Sequence, residues 1–109
     1  MDKKTNKIIG DYISTVAERN SNLITAYIFG SYAKRTNRPE SDIDVALIID
    51  NLGDYERFDL QVQLMLLASD FDNRIEPHPI STKDFSSNNP FISEIKRTGI
   101  EIKLRSKVA

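Results

Sequence analysis

Apolar positions follow two periods along this chain. Over residues 5–20, Ile8, Ile9, Tyr12, Ile13, Val16 and Ala17 recur at helical spacing, and Asn20-Ser21-Asn22 supplies a stop. Leu23–Phe29 is short, apolar and partly β-branched, as a buried strand is, and it delivers Gly30 at its end. Residues 34–40 are polar, contain Asn37 and Pro39 and lack periodicity, so they read as a loop that returns the next strand alongside the first. Ile43–Ile49 is apolar on both faces beyond its acidic start, which predicts a strand in the middle of a sheet.

The second half continues the alternation. Residues 50–54 form a turn, and Asp54 is expected to cap a helix running through about Ala68. That helix has one apolar stripe of Phe58, Val62 and Met65 and another of Leu60, Leu64, Leu67 and Phe71. Burial between the sheet and the first helix is the expected use of so wide an arc, with a partner surface as the alternative. Residues 74–80 read as a third strand, with Arg74, Glu76, His78 and Ile80 on one face and Ile75, Pro77 and Pro79 on the other. Its prolines lack N–H donors toward one side, which predicts an edge strand. Residues 82–84 and 86–90 read as loop or short turn, residues 91–97 as a helix stopped at Gly99, and residues 100–104 as a last strand.

Composition narrows the function classes. With 109 residues and 39% hydrophobic content the chain is expected to be one domain, residues 1–109, with little material for a separate substrate module. A net charge of -1 leaves no electrostatic footprint for a nucleic-acid template. The absence of cysteine excludes a disulfide framework, a thiolate metal site and a cysteine nucleophile. No stretch has the length of a membrane span or signal peptide, so no membrane partner and a cytoplasmic location are expected.

The candidate chemistry lies around Gly30 and the strand that follows. Asp42 and Asp44 alternate onto the same face with Cα atoms roughly 7 Å apart, and two carboxylates so placed repel unless a divalent cation sits between them. Ser31-Tyr32-Ala33-Lys34 can start a helix whose unpaired N–H groups suit a phosphate. The plainer alternatives are an ordinary helix cap for Ser31 and a solvated acidic pair for the aspartates.

Gly30-Ser31, ten intervening residues and Asp42-Ile43-Asp44 resemble the signature of the nucleotidyltransferase fold shared with the DNA polymerase β superfamily. The short chain resembles its smallest branch, the minimal nucleotidyltransferases that accompany HEPN-domain proteins in toxin–antitoxin pairs. The resemblance covers residues 23–80 and departs at Arg35, where that family usually has glycine. It implies an α/β (α+β) fold, a small mixed β-sheet with helices packed on one face. It also implies that Asp42, Asp44 and Glu76 gather around two Mg2+ ions as metal ligands and catalytic groups, Glu76 serving as ligand or as base. Gly30 and Ser31 would then bind the phosphates of ATP, with Lys34 as a further candidate among the basic residues Lys34, Arg35 and Arg38. Glu76 also has a surface alternative, pairing with Arg74 or Lys83, and His78 has a structural one.

The implied activity is transfer of AMP from ATP to a hydroxyl, by analogy a tyrosine of a HEPN-domain toxin. The alternatives are an antitoxin that acts by binding alone, or nucleotidyl transfer to a small molecule. Superfamily members that modify small molecules carry an additional helical domain.

Overall fold

The computed structural model describes residues 2–104. Four strands form one mixed sheet in the order β3-β2-β1-β4: β1 Leu23–Phe29, β2 Ile43–Ile49, β3 Ile75–Ser81 and β4 Ile100–Ile102. β1 pairs antiparallel with β2 and with β4, whereas β2 and β3 are parallel and joined through a helix. β2 is central, as its two-sided apolar run predicts, and the proline-bearing β3 is an edge strand.

Helix α1 spans Lys3–Arg19, capped by the Asp2 carboxylate accepting from the Thr5 N–H. Its Ile9, Tyr12, Ile13 and Val16 are buried against Val45, Leu47 and Ile49 of β2 and Leu64 and Ala68 of helix α3, Asp54–Ala68. The Tyr12 hydroxyl donates to the Leu64 carbonyl at 2.8 Å, tying the two helices together, and burial pushes its pKa up. Alternate residues of β2, Ala46 and Ile48, face the other way and pack with Phe29, Ile80, and Ile92 and Ile95 of helix α5, Pro90–Thr98. The long helices α1 and α3 thus share one face of the sheet, and the shorter α5 partly covers the opposite face.

Several elements differ from their sequence expectations. Gly53, not Asp54, is the N-cap of α3, and Asp54 and Glu56 instead place negative charge in its first turn. Only one apolar stripe of α3 is buried. Leu64 lies in the core with Leu60, Leu67 and Phe71 against it, while Phe58 is 73% and Met65 51% exposed. The reason is position: α3 packs mainly on the edge strand β3, so its outer side meets no other layer. Residues 82–84 belong to a single helical turn, α4 Thr82–Phe85, capped by the Ser81 hydroxyl. The last strand ends at Ile102 rather than Leu104. Gly99 does end α5; a Cβ there would collide with the Ile95 carbonyl. Among the described residues, no helix is long and apolar enough to cross a membrane.

Candidate active site

β1 ends at Phe29, and Gly30 turns the chain into α2, a single helical turn over Ser31–Lys34. Gly30 has φ 73° and ψ -149°, a region essentially reserved for glycine. A Cβ on it would stand 2.5 Å from Asp44 Oδ2. The turn backbone therefore lies directly against the Asp44 carboxylate, and the two halves of the sequence motif meet in space.

Asp42 lies just ahead of β2 and is exposed, while Asp44 is the second residue of the strand. Parallel pairing places Glu76 opposite Asp44, so both side chains leave the same face, the one that α5 partly covers. Glu76 is half-buried, and its carboxyl is pushed above the usual range. Burial is the first cause, with the charges of Asp44 and Asp42 and a hydrogen bond to Asp42 adding to it, while His78 pulls the other way. The three acidic residues therefore share one local field.

His78, two residues on, enters the same cluster. Its Nε2 is 3.2 Å from Asp44 Oδ1, and its ring meets Phe29 edge-on at 5.1 Å. The ligand atoms of Asp44, Glu76 and His78 all lie within 4.8 Å of one another. This donor set fits a divalent cation: oxygen and nitrogen donors gather in one small space, and the absence of a side chain at Gly30 lets the Asp44 carboxylate sit there. A groove opens beside His78, bordered by Arg57, Gln61, Asn89 and Phe91. A larger cleft between the end of α1 and the start of α3 lies at the far end of β2 and contains none of these groups.

The basic residues are arranged otherwise. Lys34 pairs with Glu94 of α5 at 2.9 Å, a contact sixty positions apart that no local pattern signals. Arg74 does not pair with Glu76. Its guanidinium binds both oxygens of Asp72, at 3.0 and 2.8 Å, and donates to the Tyr32 hydroxyl at 2.7 Å and the Pro39 carbonyl at 3.3 Å. That clip fastens α2 and the loop over residues 35–42 to the start of β3, and so holds Asp42 near Glu76. Arg35 adopts φ 59° and ψ 31°, the left-handed conformation that glycine favours at a helix C-terminus.

A family model described as polymerase β, nucleotidyltransferase matches residues 11–108. No curated protein matches the chain. Among solved structures, a Sulfolobus solfataricus protein described as a candidate nucleotidyltransferase superposes with a TM-score of 0.62 at 23% identity, over 93% of this chain and 81% of that one. A toxin–antitoxin solved with AMP-PNP gives 0.60 at 24% identity, over 90% and 75%. A mutant of the toxin–antitoxin MntA-HpeT gives 0.60 at 22% identity, over the same 90% and 75%. At these identities the likeness is one of fold.

Proposed function

The chain belongs to the polymerase β nucleotidyltransferase family, and on that premise we propose that it is a Mg2+-dependent protein adenylyltransferase of the cytoplasm. It moves AMP from ATP to a tyrosine hydroxyl of a HEPN-domain toxin. The observation that supports this reading is the shared face of Asp44 and Glu76, with the Gly30 turn pressed against the Asp44 carboxylate. A fold neighbour that is a toxin–antitoxin with bound AMP-PNP is consistent with an adenine nucleotide and a toxin partner.

In this reading the backbone of Gly30 and Ser31 and the Ser31 hydroxyl bind the β and γ phosphates, where glycine permits close approach. Asp42 and Asp44, with Glu76 as a further ligand or as base, would hold two Mg2+ ions, which would supply charge neutralisation at the departing pyrophosphate and a lowered pKa at the acceptor hydroxyl. As base, Glu76 would take the acceptor proton as the tyrosine oxygen bonds to the α-phosphorus and the bond to the bridging oxygen breaks. Lys34 reaches the triphosphate only by leaving Glu94.

The exposed face of α3 supports a protein acceptor. Tyr55, Phe58, Val62, Met65 and Leu66 are all solvent-exposed, and Asp54, Glu56 and Asp59 lie on the same helix against a single Arg57. Such a surface suits an apolar partner helix with basic flanks. It also supports the second reading, an antitoxin that acts by docking alone.

With α-labelled ATP and the toxin, the parent chain is expected to label a toxin tyrosine. Asp42→Asn and Asp44→Asn should each lose about a hundredfold or more of that rate, the scale of removing one electrostatic stabiliser. Asn variants that label the toxin at the parent rate would overturn the mechanism. Asn variants that lose labelling yet neutralise the toxin as well as the parent would favour docking alone.

A further inference from the structure

A site made of carboxylates alone offers metal only oxygen; this one also presents a nitrogen. Around an octahedral ion with bonds of about 2.1 Å, neighbouring ligand atoms lie about 3.0 Å apart and opposite ones about 4.2 Å. The 3.2 Å between His78 Nε2 and Asp44 Oδ1 matches one edge of that octahedron. The 4.8 Å limit that contains every ligand atom of Asp44, Glu76 and His78 asks only for a slight closing of side chains.

The imidazole is also held in place. Packing against Phe29 at 5.1 Å and Phe91 at 6.5 Å confines the ring, and Nε2 is the atom brought to Asp44. The side chains of His78 and Asp44 are 27% and 26% exposed, sheltered yet open to an arriving hydrated ion. The rival explanation is a positioning role, in which Nε2–H donates to Asp44 and touches no metal. The two differ in chemistry. An imidazole donor strengthens binding of first-row transition ions and does little for Mg2+, which prefers oxygen.

We propose that His78 is a direct metal ligand, so that Asp44, Glu76 and His78 form a mixed nitrogen–oxygen site that prefers Mn2+ over Mg2+. This rests on the reading of Asp44 and Glu76 as metal ligands but needs neither nucleotide nor acceptor. A test with metal alone therefore fails separately from the adenylyl-transfer reading.

The experiment uses the full chain with Mn2+ and no nucleotide. Pulsed electron paramagnetic resonance should show a directly bound imidazole nitrogen in the parent protein. In His78→Ala that signal should vanish and Mn2+ affinity should fall by about tenfold or more, a loss that even outer-shell partners of a metal can produce. Mg2+ affinity, measured by competition, should change by less than about twofold. Parent protein that binds no Mn2+ at millimolar concentration, or binds it without a coordinated nitrogen, overturns the proposal. So does a variant that weakens both ions by the same factor, because His78 would then act only on Asp44. The parent spectrum decides the matter even if the variant fails to fold.

Discussion

Two residues show how single positions trade stability for a site. Arg35 occupies left-handed space at φ 59°, which costs a residue with a Cβ about 1 kcal/mol or more. Its N–H still caps α2, so the backbone follows the path glycine would take despite the different side chain. Arg35→Gly is expected to stabilise the fold by about 0.5–1 kcal/mol, part of the gain being offset by the freer unfolded chain. Thermal unfolding should show a midpoint a few degrees higher, about 4–8 °C per kcal/mol for a domain of this size. Glu76 also costs stability, since without metal it repels Asp44 and Asp42. Glu76→Gln is expected to raise the melting temperature of metal-free protein and to abolish the upward shift expected of the parent with Mg2+ and ATP. A parent chain that shows no such shift at millimolar concentrations would count against the site.

At the scale of elements, α3 has two unlike sides, one in the core and one in solvent. Leu64 is buried beneath the Tyr12 hydroxyl bond, whereas Phe58, on the opposite side, is 73% exposed. Leu64→Ala should cost about 2–5 kcal/mol in urea unfolding, through lost burial and the cavity left behind. Phe58→Asp should stay within about 0.5 kcal/mol of the parent, as surface changes do. If the outer face docks the toxin, Phe58→Asp should nonetheless weaken the complex measurably by calorimetry. An equal stability loss from both substitutions would show that the outer stripe is core after all.

For the molecule as a whole, the Asp72–Arg74 clip links stability to the geometry of the site. Hydrogen bonds from the Arg74 side chain, then from its N–H, hold the Asp72 carboxyl below the usual carboxylate range. A lowered folded pKa gives stability that is fully present above the unfolded value of about 3.9 and lost as pH falls through the folded one. Asp72→Asn should therefore be less stable than the parent at pH 7, by about 1–2 kcal/mol for a half-buried charge-assisted pair. The gap should close in strongly acidic solution. Denaturant titrations of both proteins between neutral and acid pH measure it, and a pH-independent gap would exclude the clip as its source.

Local pattern alone determined much of this protein. Strand periods placed β1 and β2 at their observed ends and the helix period placed the C-terminal end of α3, and the Gly30-Ser31 and Asp42-Ile43-Asp44 spacing marked the neighbourhood of the candidate site, because periodicity, turn chemistry and face alternation act over a few residues. Tertiary structure decided what depends on register and layer. Parallel pairing of β2 with β3 put Glu76 opposite Asp44 and drew His78 into the same cluster. Docking of α5 took Lys34 away with Glu94, and the edge position of β3 left half of α3 bare. None of these could be read from neighbouring residues, since each is a contact between segments that only the folded sheet brings together.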